Sequence, residues 1–220
     1  MTLNSYKTFD IKFSKKNIDY SKALLFMEKR VQSISYNNKK EFIWFLNHNH
    51  IYTQGTSASN KEIIKTTNTP IIKTNRGGKT TYHGPGQRIV YLLIDLNKRK
   101  KDIRSFISLL ENTVISLLKI HKIESVTHPD RVGIWVTKVR GNKLAKERKI
   151  GAIGLRIKKW ITYHGLSFNI NQNLSYYKNI NDCGLKNNLS TSLKELGIDL
   201  TYKEFDKMFL NIFNEKLKQF

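Results

Sequence analysis

The chain has little from which to build disulfides, membrane spans or metal clusters. A single cysteine, Cys183, stands among 220 residues. No internal disulfide can form, which fits a reducing, intracellular compartment. The longest apolar run, Ile89 to Ile94, falls far short of the roughly 20 residues that a membrane-crossing helix needs. Met1 to Lys12 is polar and mixed, with neither an apolar stretch nor a small-residue cleavage site, so no secretory leader is expected. These absences point to a cytoplasmic protein that does not engage a membrane. The histidines do not pair as H-E-x-x-H, and one thiol cannot build a thiolate cluster, so no metal site is expected. Neither G-x-x-x-x-G-K-[ST] nor G-x-S-x-G occurs, which argues against P-loop chemistry and an α/β-hydrolase.

Acidic residues are also scarce: 17 Asp and Glu face 39 Lys and Arg, a formal charge of +22. Such a balance attracts nucleic acid, anionic membranes or acidic proteins. The lysines are spread along the chain and no nucleic-acid-binding motif accompanies them. The excess therefore reads mainly as compositional, with faster encounter with an acidic partner as its use.

The apolar periodicities predict an α+β fold, a mixed sheet with flanking helices, in one domain spanning 1–220. Leu24, Met27, Val31 and Ile34 have helical spacing within residues 18–36. Asp102 can cap a helix over 103–121 whose stripe is Ile103, Phe106, Leu110, Val114 and Leu117. A terminal helix over Tyr202 to Leu217 turns Phe205, Met208, Phe209, Ile212 and Phe213 inward. Strands are expected at Glu41 to Leu46, Ile51 to Thr53, Pro70 to Thr74, Arg88 to Leu96, Val132 to Val136, Lys149 to Ile157 and Trp160 to Ile170. Short helical turns are expected at Asn60 to Thr67 and Leu193 to Leu196. Thr137 to Arg148 reads as an exposed hairpin tip around Gly141-Asn142, and Asn171 to Leu189 as loop.

Chemistry concentrates in a few places. Arg76 to Gln87 reads RGGKTTYHGPGQ: five of its twelve residues are Gly or Pro. Glycines let backbone approach a ligand closely, and Arg76 and His83 bracket them with polar groups, as in the wall of a binding site. Cys183 lies in a polar loop beside Asp182 and Gly184, where it could attack a substrate or be an unimportant thiol on a surface loop. Lys149 enters an apolar, glycine-containing strand, where partial desolvation would suit it to act as a base, although in a chain so rich in lysine most are simply solvated. His83 and His164 each precede a glycine and could orient substrate or accept a proton.

Together these segments resemble the lipoyl(octanoyl) transferases. That family's R-G-G-x-x-T-Y-H-G-P-G-Q matches Arg76 to Gln87, continuing into a strand with Tyr91. K-I-x-x-x-G-[LI]-R matches Lys149 to Arg156, and H-G-[LI]-x-[FL]-N matches His164 to Asn169. I-N-P-C-G matches Ile180 to Gly184, with Asp182 where proline is usual. Tyr52 to Gly55 also fits, whereas His48-Asn49-His50 departs from the usual H-P-P. The resemblance implies the biotin/lipoate protein ligase fold and an acyltransferase working without cofactor. It implies transfer of an octanoyl group from acyl carrier protein to a lysine of the lipoyl domains of 2-oxoacid dehydrogenases and of the glycine cleavage H protein. It gives Cys183 the nucleophile's role and Lys149 that of its partner. Arg76, Gly77, Gly78, Lys79, Thr80, Thr81, Tyr82 and His83 would line the acyl site, with Ala152, Ile153, Gly154, His164, Gly165, Leu166 and Ser167. The alternative on the same fold is an ATP-dependent lipoate or biotin ligase, which needs no cysteine nucleophile.

Overall fold

Burial in the computed structural model, which describes residues 9–65, 68–181 and 189–220, follows the periods of helix and strand. The chain begins with β1 (Phe9–Phe13), α1 (Tyr20–Ser35), β2 (Glu41–Leu46) and β3 (Ile51–Gln54). A 3-10 turn at Asn60–Glu62 precedes β4 (Ile71–Lys73), β5 (Thr80–His83) and β6 (Gln87–Leu93). After α2 (Ile103–Ile120) come β7 (Ile123–Val126), β8 (Ile134–Val139), β9 (Asn142–Lys158) and β10 (Ile161–Asn169). A 3-10 segment at Leu174–Asn179 leads toward α3 (Tyr202–Lys218).

Seven strands form one mixed sheet in the order β1-β2-β6-β10-β9-β8-β7, parallel between β1 and β2. A second sheet, β4-β3-β5, stands apart from it. Period-2 alternation splits the large sheet into two apolar faces. Ile43, Phe45, Val90, Leu92, Leu166 and Phe168 pack with α2 and α3. Phe42, Trp44, Ile89, Tyr91 and Tyr163 pack with α1. The central strands are buried on both sides, as their unbroken apolar runs required.

Helix ends obey their sequence signals. The Asp102 carboxylate accepts from Ser105 N–H at 3.0 Å, and Thr201 with Glu204 forms a capping box at α3. The stripes shift slightly. Ile103 is 38% exposed at the first turn of α2, and Ala23 takes the central place on α1 that Leu24 was expected to hold. On α3 the inward stripe includes Asp206, which receives Arg88 Nε at 2.8 Å and joins the helix to β6.

Three expectations need correction. Thr80–His83 is a strand of the small sheet, not part of a loop. The helical turn expected over Asn60 to Thr67 shrinks to Asn60–Glu62, and Thr66 and Thr67 lie outside the described residues. The basic stretch after Gly141 is mostly strand: β8 and β9 extend to Val139 and Asn142, with only Arg140 and Gly141 between them. Both turn residues have positive φ, 49° and 84°, matching the tight turn that favours strand twist. β1 and β7 were not expected, because each is short and mixes charged with apolar residues.

Candidate active site

Arg76 organises the glycine-rich turn. Its buried guanidinium donates to Thr53 O at 2.7 Å, Thr53 Oγ1 at 2.8 Å, Lys79 O at 2.8 Å and Gly77 O at 2.9 Å. The rigid planar fork, with five N–H donors, holds these acceptors at fixed angles, a geometry that the compact lysine ammonium does not offer. The turn lies against β9, where Gly77 N–H donates to Leu155 O at 3.1 Å. A Cβ at Gly77 would sit 3.2 Å from Leu155 O, and one at Gly154 would sit 3.2 Å from Gly77 O. Both glycines therefore serve this close approach.

The turn and both sheets enclose a cavity of about 360 Å³, within the size range of small-molecule sites. Arg76, Gly77, Gly78 and Lys79 line it, with Ala152, Ile153 and Gly154 of β9 and His164, Gly165, Leu166 and Ser167 of β10. Alternation along β5 puts Thr81 and His83 in the lining. Thr80 and Tyr82, also expected at the site, are absent from that lining. Thr80 N–H instead donates to Glu62 Oε2 at 2.8 Å. Tyr82 packs against Tyr176, with ring centroids 4.7 Å apart, and its hydroxyl is 2.7 Å from His50 Nδ1.

Lys149 lines a tight adjoining crevice, without room for a water molecule, together with Thr81, Gly151, Ala152, Ser167, Asn169, Tyr177 and Ser190. Thr81, Ala152 and Ser167 border both spaces. Lys149 is 4% exposed. Its backbone N–H donates to Leu189 O at 2.7 Å, and its carbonyl accepts from Thr191 N–H at 2.8 Å. Cys183 and Asp182 lie outside the described residues. On the far side of that gap, Asn181 N–H donates to Glu62 O at 2.7 Å.

Sequence reasoning undervalued a buried cluster from which Tyr20, His83, Tyr91 and His164 line the larger cavity. Tyr91 donates to His48 Nε2 at 2.7 Å, and His48 Nδ1 donates to Ile18 O at 2.7 Å. His83 Nδ1 donates to Gln87 Oε1 at 2.7 Å, and Gln87 Nε2 donates to Asn169 Oδ1 at 3.1 Å. His164, in the left-handed region at φ 60°, lies with Nε2 3.1 Å from Asn75 Oδ1. Among the described residues, its Nδ1 is buried without a hydrogen-bond partner. Burial favours the neutral ring for all three. It lowers His48 to about 4 and His164 to about 3, and holds His83 well below its ordinary range. The nearby Arg76 charge adds to the shift at His83 and His164. Burial likewise pushes Tyr91 well above the ordinary tyrosine range and raises Tyr20. These groups thus provide neutral donors and acceptors, not charges. Tyr20 was not in the expected α1 stripe, His48 was marked only as the first residue of the departure from H-P-P, and nothing local in the sequence marked Glu62 or Asp130.

Residues 19–214 match the family described as the lipoyl protein ligase A/B catalytic domain. An octanoyltransferase of Ehrlichia chaffeensis is 42% identical over 217 residues, covering 98% of this chain and 99% of its own. One from Wolbachia of Brugia malayi is 45% identical over 201 residues, covering 87% and 95%. The structure resembles a bipartite lipoate protein ligase from Thermoplasma acidophilum, with a TM-score of 0.69 at 13% identity, covering 94% of this chain and 83% of that one. It also resembles lipoate-protein ligase A bound with ATP, with a TM-score of 0.68 at 14% identity and coverages of 95% and 86%. At such identities the structural likeness concerns the fold, which these proteins share.

Proposed function

The chain belongs to the lipoyl protein ligase A/B catalytic family and, within it, to the octanoyltransferases, and from that premise we propose that it carries an octanoyl group from acyl carrier protein to a lysine of a lipoyl domain through a thioester on Cys183. It is an acyltransferase by membership. The reading takes 1–220 as one catalytic domain, and no helix of the described residues is long and apolar enough to cross a membrane.

Lys149 carries the argument. It is buried beside the larger cavity and paired through its backbone to Leu189 and Thr191, soon after Cys183 in the chain. In the first half-reaction Lys149 takes the thiol proton and its ammonium stabilises the thiolate. The thiolate attacks the thioester carbon, backbone N–H groups stabilise the oxyanion, and the carrier thiolate leaves with the proton from Lys149. Cys183 then holds the octanoyl group. In the second half-reaction neutral Lys149 accepts the proton of the incoming amine. The amine displaces the Cys183 thiolate, which takes up the second nitrogen proton as the amide forms, and Lys149 returns the first to solvent. Thioester exchange preserves the activated bond, so the scheme needs neither ATP nor metal. The tail would occupy the larger cavity, where burial contributes about 0.8 kcal/mol per CH₂. His83, His164 and Tyr91, which line that cavity, would form part of its wall.

Mixing the protein with octanoyl-acyl carrier protein should give an octanoyl adduct by intact mass, absent in Cys183→Ala and discharged by a lipoyl domain. Full transfer by Cys183→Ala would refute the covalent route. Formation of an octanoyl adenylate from free octanoate and ATP would favour the ligase alternative.

A further inference from the structure

A lysine amine that reaches this site arrives as an ammonium, since its ordinary pKa is about 10.4. The cavity it must approach carries Arg76 and exposed Lys79, and like charges oppose its entry. Among the described residues lining the cavity and its adjoining crevice, Asp130 alone bears a carboxylate.

Asp130 belongs to residues 127–133, which connect β7 to β8, and it lines the larger cavity together with Val132. This connection crosses the Lys149 side chain. Gly133 has φ 138°, and a Cβ there would lie 2.8 Å from Lys149 Cε. The neighbouring Arg131 is engaged elsewhere. It forms an ion pair with Glu147 and lies 4.3 Å from the Trp135 ring, and His128 Nε2 is 2.9 Å from the same Glu147. Arg131 is thereby offset, while Asp130 is exposed and makes no ion pair among the described residues.

We propose that Asp130 captures the acceptor lysine ammonium at the cavity mouth and directs it toward Lys149, an inference that rests on the octanoyltransferase reading above. Capture and activation then fall to different residues. A carboxylate beside an ammonium favours the charged form, so Asp130 aids binding and opposes deprotonation. Lys149, farther in, removes the proton. The role of Asp130 is therefore in acceptor affinity and not in the rate of the bound complex.

The test uses octanoyl-loaded enzyme, verified by intact mass, discharged in single turnovers by an isolated lipoyl domain over a range of concentrations. Asp130→Asn should raise the half-saturating lipoyl-domain concentration about fivefold, Asp130→Lys more, and Asp130→Glu should restore most of it. The difference should shrink in high salt. Hydroxylamine, uncharged at neutral pH, should show a smaller penalty than the lysine. An unchanged half-saturating concentration would mark Asp130 as an idle surface carboxylate. Equal penalties for hydroxylamine and lysine would reduce it to a structural role, and either result overturns the proposal. Failure of the unsubstituted protein to load octanoate at all would instead refute the octanoyltransferase reading, before Asp130 is tested.

Discussion

At the scale of single residues, the site holds polar groups kept neutral by burial around a fixed cation. Arg76 is the cation, and its hydrogen bonds to Thr53, Gly77 and Lys79 close the glycine-rich turn. His48, His83 and His164 are the neutral groups, each with its pKa depressed first by burial. The sign of their effect on stability follows. Below pH 6.5 the unfolded chain protonates these rings while the native protein does not, so the unfolded state binds more protons and stability falls as pH falls. The loss begins near 6.5 and continues toward the folded values, about 4 for His48 and about 3 for His164. At pH 5 each ring so held costs about 2 kcal/mol relative to neutral pH and above. Urea denaturation at pH 7.5 and 5.0 should show a clear drop in unfolding free energy. Equal stability at the two pH values would mean that these rings are not held neutral.

At the scale of elements, close backbone packing between strands sets the shape of the site. A Cβ on Gly165 would lie 2.0 Å from Val90 O on the paired strand. Gly165→Ala must therefore push β10 away from β6 in the centre of the large sheet, a loss of about 3 kcal/mol or more. Gly141→Ala offers the contrast: no atom lies within 4 Å of its Cβ, and only its φ of 84° opposes the change, at about 1 kcal/mol. Thermal melts of the two variants should separate them clearly, and equal effects would contradict the packing argument. The same packing explains the fate of the glycine-rich segment. Its composition reads as loop, yet Thr80–His83 pairs with β3 across four residue pairs. Local propensity gave way to a tertiary partner, and the resulting alternation selected Thr81 and His83 for the cavity.

At the scale of the whole molecule, the charge of +22 acts on encounter with partners more than on the chemistry. Such a charge favours partners of opposite sign, and the carrier and lipoyl domains of the proposed scheme are the partners to test. Raising salt from low to a few hundred millimolar should increase the half-saturating concentration of both by about threefold or more, with little change in maximal turnover. Steady-state kinetics across that range would check this; salt-insensitive values would leave the charge compositional. Most of the fold was legible locally, because helices and strands announce themselves by the period of their apolar residues. So were the identities of Arg76, Lys149 and His164, since chemistry restricts residue type and spacing. The second sheet, the neutralised histidines, the Arg88–Asp206 link and the position of Asp130 were not. Each depends on contacts between residues far apart in the chain: Arg88 and Asp206 are 118 positions apart, and Gly133 meets Lys149 across the hairpin. The sequence by itself determined which groups are present and which elements carry them. Only the tertiary structure decided which of them face the same cavity and which charges are offset, because burial and Coulomb interactions depend on distance in space and not along the chain.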